Sequence, residues 1–163
     1  MTTTNPFPSD PERHALWEML VRGDIEAFLA ADWAAVEQDF IASRFLGLSA
    51  YKSANPDDWN VLFPRLEDYR DRWISQAKIS ATSDYAEPRR EALYRATSLT
   101  QIDISGDTAV AHKKFDGRIA RSDGQADIIN WQTLYLCTRI DNVWKITGFV
   151  GYLPNPMGAG PQP

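Results

Sequence analysis

Residues 141–154, DNVWKITGFVGYLP, form the last apolar run of the chain and decide the fold. This run holds three aromatic residues, two glycines and a closing proline: Trp144, Phe149, Tyr152, Gly148, Gly151 and Pro154. Glycine lets a strand bend sharply, and proline cannot donate a hydrogen bond to a sheet. We therefore predict a final strand that curls around a layer of helices and encloses a pocket lined by aromatic side chains.

The first half of the chain has the hydrophobic spacing of amphipathic helices, with apolar residues three and four positions apart. This spacing predicts a first helix from Pro11 to about Leu29, with a break or kink at Gly23-Asp24. A short second helix is predicted over 32–40 and a third over 64–81. Between the last two, residues 45–53 have the composition of a short strand.

After residue 88 the hydrophobic period changes to two, which is typical of strands. Four strands are predicted over 91–105, 108–122, 126–140 and 143–154, joined by turn pairs such as Asp123-Gly124. The fold class is therefore α+β: a cone-shaped, strongly curved antiparallel sheet with three N-terminal helices on its concave face. We assign 1–9 to a flexible arm, 10–154 to a single domain and 155–163 to a disordered tail.

Composition excludes several functional classes. The formal net charge is −5 and no basic patch occurs, so nucleic acid is not an expected partner. No run of about 18 apolar residues and no signal peptide are present, so no membrane partner is expected. A single cysteine, Cys137, suits a reducing cytoplasm. Acidic pairs such as Asp57-Asp58 lie in loops without converging ligands, so neither a metal nor another cofactor is predicted.

Three segments together resemble the nuclear transport factor 2-like superfamily, within it the SnoaL-like polyketide cyclase and ketosteroid isomerase branch. They are RGDIEAFLAADW (22–33), ISGDTAVAHKKFDG (104–117) and TLYLCTRIDNVWKITGFVGY (133–152). The resemblance spans roughly residues 12–153 and implies a cone-shaped α+β roll (a cystatin-like fold) with an internal pocket. It does not specify an activity, because one fold hosts many functions.

The resemblance also implies which residues face the pocket. It places Val110, His112 and Lys114 inward on one strand, and Asn130 and Gln132 inward on the next. A histidine in such a pocket can act as an acid or base near neutral pH, although a hydrogen-bonded structural role is the alternative. The two amides indicate either a wet cavity or a polar outer face, because a buried amide without a partner is costly. In a cavity, they are expected to orient a carbonyl or hydroxyl group of the ligand.

Other candidates come from their positions in the predicted elements. Tyr69 and Trp73 share one face of the third helix, which roofs the pocket in the resembling fold, with core packing as the alternative. Tyr94, early in the first long strand, is a further ligand-binding candidate. Trp59 lies in a loop that could close the pocket mouth or plug the core. Asp39 ends the second helix and is either a catalytic base or a solvated loop acid.

Ketosteroid isomerase chemistry, which the resemblance would imply, needs a carboxylate base and a second acid in the pocket. The corresponding segment 40–49 contains no acid, and Leu136 occupies the second position. Both departures argue against the ketosteroid isomerase reaction. We expect a domain that binds a small hydrophobic or aromatic ligand and that is a candidate cofactor-independent lyase, isomerase or cyclase. The alternative is a non-catalytic binding or dimerisation domain with a vestigial or filled pocket. The strands carry more apolar surface than one sheet face can bury, which further predicts a homodimer through the sheet. The residues concerned are Ile102, Ile104, Leu134, Tyr135 and Leu136.

Overall fold

The structure, a computed structural model, describes residues 4–158. Its helices are α1 (Pro11–Trp17), α2 (Asp24–Ala30), α3 (Ala34–Glu37), α4 (Leu66–Thr82) and α5 (Arg89–Ala96). A π-helical turn, Glu18–Gly23, joins α1 to α2, and 3₁₀ turns cover Ala42–Arg44 and Pro56–Asp58. The strands are β1 (Leu46–Ser49), β2 (Asn60–Phe63), β3 (Thr97–Ser98), β4 (Ile102–Ser105), β5 (Thr108–Ala120), β6 (Ala126–Ile140) and β7 (Val143–Leu153). No helix in the described part of the chain is long and apolar enough to cross a membrane.

The α+β class is confirmed, and the sheet is mixed rather than purely antiparallel. Seven strands form it in the order β2-β1-β7-β6-β5-β3, and β4 also pairs with β5. β1 runs parallel to β7, whereas the long strands β5, β6 and β7 form the expected antiparallel hairpins. The turn at Asp141-Asn142 has positive φ at both residues, which is the backbone of a tight hairpin turn.

Gly148 has a specific role in this topology. A Cβ atom at this position would lie 2.3 Å from the backbone oxygen of Leu46, which is far too close for any side chain. Leu46 is also its pairing partner across β1 and β7. The glycine therefore permits the close approach of β1 to the final strand, and the ladder irregularity between Leu136 and Cys137 adds the bend.

The predicted strand over 91–105 is wrong in its first half, because Arg89–Ala96 is helix α5. Pro88 precedes it, and its sequence contains good helix formers such as alanine, arginine and glutamate. α5 buries Ala92, Tyr94 and Ala96, and this alternation gives the segment the period of a strand. At Gly23-Asp24, where a break or kink was predicted, both residues keep right-handed helical angles, and the π-helical turn Glu18–Gly23 ends there.

The packed structure extends slightly beyond the predicted domain bounds. The side-chain amide of Asn5 donates to the backbone oxygen of His14 at 3.0 Å. At the other end, the side-chain amide of Asn155 donates to the backbone oxygen of Phe115 at 2.9 Å. Residues 1–3 of the predicted arm and 159–163 of the predicted tail lie outside the described residues.

The core lies between the helices and the inner face of the sheet, and it is strongly aromatic. Trp33 contacts Phe40 and Trp73 through ring centroids 5.4 and 5.3 Å apart. Tyr69 and Phe149 meet at 4.9 Å in an edge-to-face arrangement. Such pairs contribute beyond simple area burial, so this cluster fixes the helices against the sheet.

The outer face of the sheet carries a patch of aliphatic side chains. Its members, which we call the outer apolar patch, are Leu46, Leu48, Val110, Leu134, Leu136 and Val150. Two rows of cross-strand pairs bring them together on adjacent strands. Ile102 and Tyr135, which entered the dimer prediction, face the core instead and are 3% and 7% exposed.

Substitution of Trp144 tests how the closing hairpin packs against the helices. Its side chain is 5% exposed, and its indole N–H donates to Glu12 Oε2 at 2.6 Å. Trp144→Ala should lower the free energy of unfolding by roughly 3–5 kcal/mol, since it leaves a large cavity. Urea denaturation measures this, with Val143→Ala as the control because Val143 is half-exposed. A loss below about 1 kcal/mol in Trp144→Ala would contradict the packing.

We propose that the outer apolar patch is the interface of a homodimer formed through the sheet. Leu136, at the centre, is 45% exposed. Sedimentation at micromolar concentration should show a dimer for the wild type and a monomer for Leu136→Glu. Ile79→Glu, which adds a charge on α4 away from the patch, is the control and should remain dimeric. A wild-type monomer would overturn the proposal.

Candidate functional site

A cavity of about 480 Å³ lies between the helices and the inner face of the sheet. Its size is within the range of small-molecule sites, and most of its wall is aromatic or aliphatic. Rings contributed by helices and strands face it: Phe28, Phe63, Trp73, Phe115, Trp131 and Phe149. Of the aromatic residues in the final strand, Phe149 and Tyr152 line this cavity, whereas Trp144 is not on its wall.

A buried ion pair lies at the inner end of this cavity. Lys113, at the middle of β5, is fully buried, and its ammonium donates to Asp24 Oδ2 at 2.8 Å. A second bond goes to the backbone oxygen of Leu20 at 2.5 Å. Asp24 keeps 32% of its side chain accessible and lines the cavity wall, with the lysine behind it. The cavity therefore contains a carboxylate whose counter-ion is inaccessible.

Lys113 can be buried because its surroundings compensate the loss of water. Burying an unpaired ammonium is very costly, whereas a paired and hydrogen-bonded one is tolerated. Besides Asp24 and Leu20, the rings of Phe115 and Tyr135 lie 5.1 and 5.8 Å from Nζ. Both are within the distance at which an aromatic face attracts a cation. The lysine is thus held in one position.

Local backbone structure fixes Asp24. It is the first residue of α2, directly after the π-helical turn, a type of irregularity that is frequent at functional sites. The indole N–H of Trp73 points at its other oxygen, Oδ1, at 3.4 Å. Contacts to both carboxylate oxygens restrict the side-chain rotation, so its orientation toward the cavity is defined.

Two tyrosine hydroxyls share this inner end with Asp24. Tyr69 from α4 and Tyr135 from β6 both line the cavity. Burial, with nearby Asp24 contributing, raises the pKa of each well above its usual value. Both hydroxyls therefore stay protonated, and within residues 4–158 neither forms a hydrogen bond. They can donate hydrogen bonds to an oxygen of a bound molecule.

Asp39 lies on a second, much smaller cavity of about 10 Å³, roughly the space of one water. Asp24, Tyr69 and Tyr135 line both this cavity and the large one. Burial raises the pKa of Asp39 to about 6; nearby Lys145 lowers it and Asp24 raises it further. Asp39 therefore lies behind the inner end of the main cavity rather than on its wall.

The structure places two of the sequence-predicted residues, Tyr69 and Trp73, on the cavity wall. Tyr94 lies in α5 and donates its hydroxyl to Glu26 at 2.7 Å, away from the cavity. Trp59 follows a 3₁₀ turn, and its indole donates to the backbone of Ser53 at 2.9 Å. Tyr94 and Trp59 are held by protein contacts and are not part of the cavity wall.

The inward orientation predicted for His112 is wrong. Its neighbours Ala111 and Lys113 are fully buried, so the inner face of β5 carries the odd-numbered residues. His112 pairs across the sheet with Leu134 on the outer face, where its Nε2 lies 3.0 Å from Asp103 Oδ2. The inner face of β5 carries small alanines where the helices pack on it. It therefore lacks the large apolar side chains that would mark it as the inner face in the sequence.

The same shift of face applies to the next strand. Asn130 donates to Asp116 at 3.2 Å, and Gln132 donates to the backbone oxygen of Pro154 at 2.7 Å. Their neighbours Trp131 and Thr133 line the cavity in their place. The amides are therefore satisfied by partners outside the cavity, and the prediction that they orient a ligand is wrong in its geometry.

Sequence reasoning missed three polar residues at the inner end of the cavity, namely Asp24, Lys113 and Tyr135. The available signal was the run Ala109, Ala111, Lys113, in which a lysine continues a face of small residues. The Gly23-Asp24 pair was interpreted as a helix break, so its carboxylate was not considered. Only the fold brings the two charged residues together across 89 positions of sequence.

Solved structures share this fold at low sequence identity. A nuclear transport factor 2-like protein of unknown function from Shewanella baltica has a TM-score of 0.54 at 14% identity, covering 86% of this chain and 92% of its own. A nuclear transport factor 2-like superfamily protein from Salmonella enterica has a TM-score of 0.54 at 14% identity, covering 91% of this chain and 94% of its own. One from Novosphingobium aromaticivorans, with a cystatin-like fold, has a TM-score of 0.53 at 12% identity, covering 92% and 85%.

No family model matches the sequence, and no curated protein matches it. The structural likeness at this level of identity shows the fold alone. The chain has the nuclear transport factor 2-like, cystatin-like α+β fold, and its activity has to be argued from its own cavity.

The ion pair can be tested by a double-mutant cycle. Asp24→Asn should lower the free energy of unfolding by about 3–5 kcal/mol, because Lys113 is left buried without an anion. Asp24→Asn combined with Lys113→Met should recover much of that loss, since no buried charge remains. Urea denaturation measures both, and Asp71→Asn, which breaks an exposed pair with Arg70, should cost less than about 1 kcal/mol. Additive effects of the two substitutions would contradict the pairing.

Asp39 gives a pH-dependent prediction. Its pKa is raised from 3.8 to about 6 in the folded chain, so the folded state binds the proton more tightly than the unfolded state. Its favourable contribution is full below the unfolded value and is lost as pH rises through about 6. Asp39→Asn should therefore raise the melting temperature more at pH 7.5 than at pH 4. Exposed Glu37→Gln is the control, and an equal effect of Asp39→Asn at both pH values would contradict the burial.

Proposed function

We propose that this domain binds a small, largely aromatic molecule in the cavity and catalyses proton transfer on it without a cofactor. The observation that carries the proposal is a carboxylate, Asp24, beside two protonated tyrosine hydroxyls at the inner end of an apolar cavity. A base beside hydrogen-bond donors is a combination that can catalyse isomerisation, cyclisation or elimination next to a carbonyl group.

The roles follow from the positions of the charges. Asp24 is paired with Lys113 and can accept a proton from a carbon next to a carbonyl group. The electron pair then moves onto the carbonyl oxygen, where hydrogen bonds from Tyr69 and Tyr135 stabilise the developing negative charge. Asp24 returns the proton to another carbon or to a leaving oxygen, so the carboxylate is regenerated.

The surroundings favour this chemistry. A hydrogen bond to a developing charge is stronger in an apolar cavity than in water. Asp39, on the adjoining small cavity that Asp24 also lines, provides a second carboxyl group, whose pKa burial raises to about 6. A non-catalytic ligand-binding domain is the competing function, and it needs the cavity but neither hydroxyl.

Deuterium exchange into 2-tetralone, a bicyclic aromatic ketone with acidic protons, tests the proposal by NMR. Wild-type protein should accelerate exchange above the buffer rate, and Tyr69→Phe combined with Tyr135→Phe should reduce that acceleration by roughly 10²-fold or more. This change removes only two hydroxyl groups. Tyr51→Phe, at an exposed tyrosine, is the matched control and should not change the rate.

Binding is measured on the same samples through the fluorescence of Trp73 and Trp131, which line the cavity. Quenching by 2-tetralone without accelerated exchange would overturn the catalytic part and leave a binding domain. Absence of both quenching and exchange would overturn the proposal entirely.

A further inference from the structure

We infer that the ligand is an aromatic carboxylic acid whose carboxylate pairs with Arg72 at the cavity mouth, and this rests on the proposed function. Arg72 lies on α4, three residues after Tyr69 and four before Gln76. All three residues line the cavity. Side chains three and four positions apart share a helix face, so α4 presents a line of polar groups from the inner end to the mouth.

The direction of the Arg72 side chain is set by an aromatic ring. Its guanidinium carbon lies 5.9 Å from the ring centroid of Phe63, which is itself part of the cavity wall. An arginine over an aromatic face is attracted to it, and this contact holds the charged group beside the opening. The guanidinium is exposed to solvent, so an incoming anion can reach it.

The two carboxylates on the wall have partners other than Arg72. The wall contains two carboxylates, Asp24 and Asp127, and the cation Arg72. Asp24 pairs with Lys113 at 2.8 Å. Asp127 accepts the Tyr85 hydroxyl at 2.7 Å and lies 3.5 Å from Arg121, which also pairs with Asp123 at 3.2 Å. Neither wall carboxylate pairs with Arg72, so its guanidinium is available to a ligand anion.

Neighbouring acids do not compensate Arg72 either. Asp68, one helical turn before it, pairs with Arg65 at 3.1 Å. Asp71, the adjacent residue, pairs with Arg70 at 3.0 Å. In the part of the chain that the structure describes, no carboxylate forms an ion pair with Arg72. In a chain of net charge −5, an unpaired cation at a cavity opening is a feature that a ligand anion would use.

A carboxylate matches these groups better than other anions of similar size. The guanidinium offers two parallel N–H donors, and the Gln76 amide adds a further donor one turn along α4. The aromatic body would then lie along the rings of Phe63 and Trp131, with an oxygen directed at Tyr69 and Tyr135. The ligand class is therefore a planar aromatic acid with a second oxygen at its far end.

The test compares 6-hydroxy-2-naphthoic acid with 6-hydroxy-2-naphthamide, which have the same rings and hydroxyl but differ in charge. Titration calorimetry at low salt should show the acid binding wild-type protein roughly tenfold or more tightly than the amide. Arg72→Gln should abolish this preference by weakening the binding of the acid. Arg70→Gln, on the same helix but outside the cavity wall, should keep the preference.

The outcomes separate the two proposals. Equal wild-type affinities for acid and amide, or a preference that survives in Arg72→Gln, would overturn the assignment of Arg72 and leave the aromatic-ligand function intact. Failure of both probes to bind wild-type protein would overturn the proposed function together with this inference.

Discussion

The fully buried Lys113 is the constraint on which the arrangement of this protein depends. An ammonium group without water must be paired, so β5 has to lie directly beneath the start of α2, where Asp24 and the backbone oxygen of Leu20 meet it. Leu20 lies in the π-helical turn and Asp24 follows directly after it, four positions further along, so both acceptors are on the same side of the helix. A single side chain thereby ties the helical layer to the middle of the sheet and orients the carboxylate that faces the cavity.

The cavity is organised from its inner end to its mouth as a consequence. Asp24, Tyr69 and Tyr135 are polar groups at the inner end, and aromatic rings form most of the wall above them. Arg72 adds an unpaired positive charge near the opening. This polarity would hold an elongated aromatic molecule in one direction only, which is what a proton transfer at a defined carbon requires.

Much of the fold could be predicted from sequence, because it depends on local patterns. Hairpin turn sequences and glycines limit the backbone conformation directly. The structure has the expected backbone at Gly148 and at Asp141-Asn142. α5 was missed because alternate burial of small residues imitates a strand. Pairing of β1 with β7 was missed because a four-residue strand carries little signal of its partner.

The site was much less predictable, and the reason is physical. A single strand does not reveal which face is inward when that face carries Ala109, Ala111 and a lysine. The face implied by the resemblance was therefore the wrong side of β5 and β6, and it placed His112, Asn130 and Gln132 in the pocket. A charge becomes a plausible interior group only when its partner is known, and Asp24 reaches Lys113 through tertiary structure alone. Tyr69 and Trp73 were placed correctly because a helix face is read from spacing.

Nitrogen-15 NMR of the lysine side chains reports directly on whether the buried ion pair forms. We expect the Lys113 ammonium to give a resolved signal whose protons exchange slowly with water, since it is buried and bonded to Asp24. Exposed Lys78 should exchange fast, and Asp24→Asn should remove the protection of Lys113. A Lys113 signal that exchanges as fast as that of Lys78 would show that the ion pair does not form and would contradict the account.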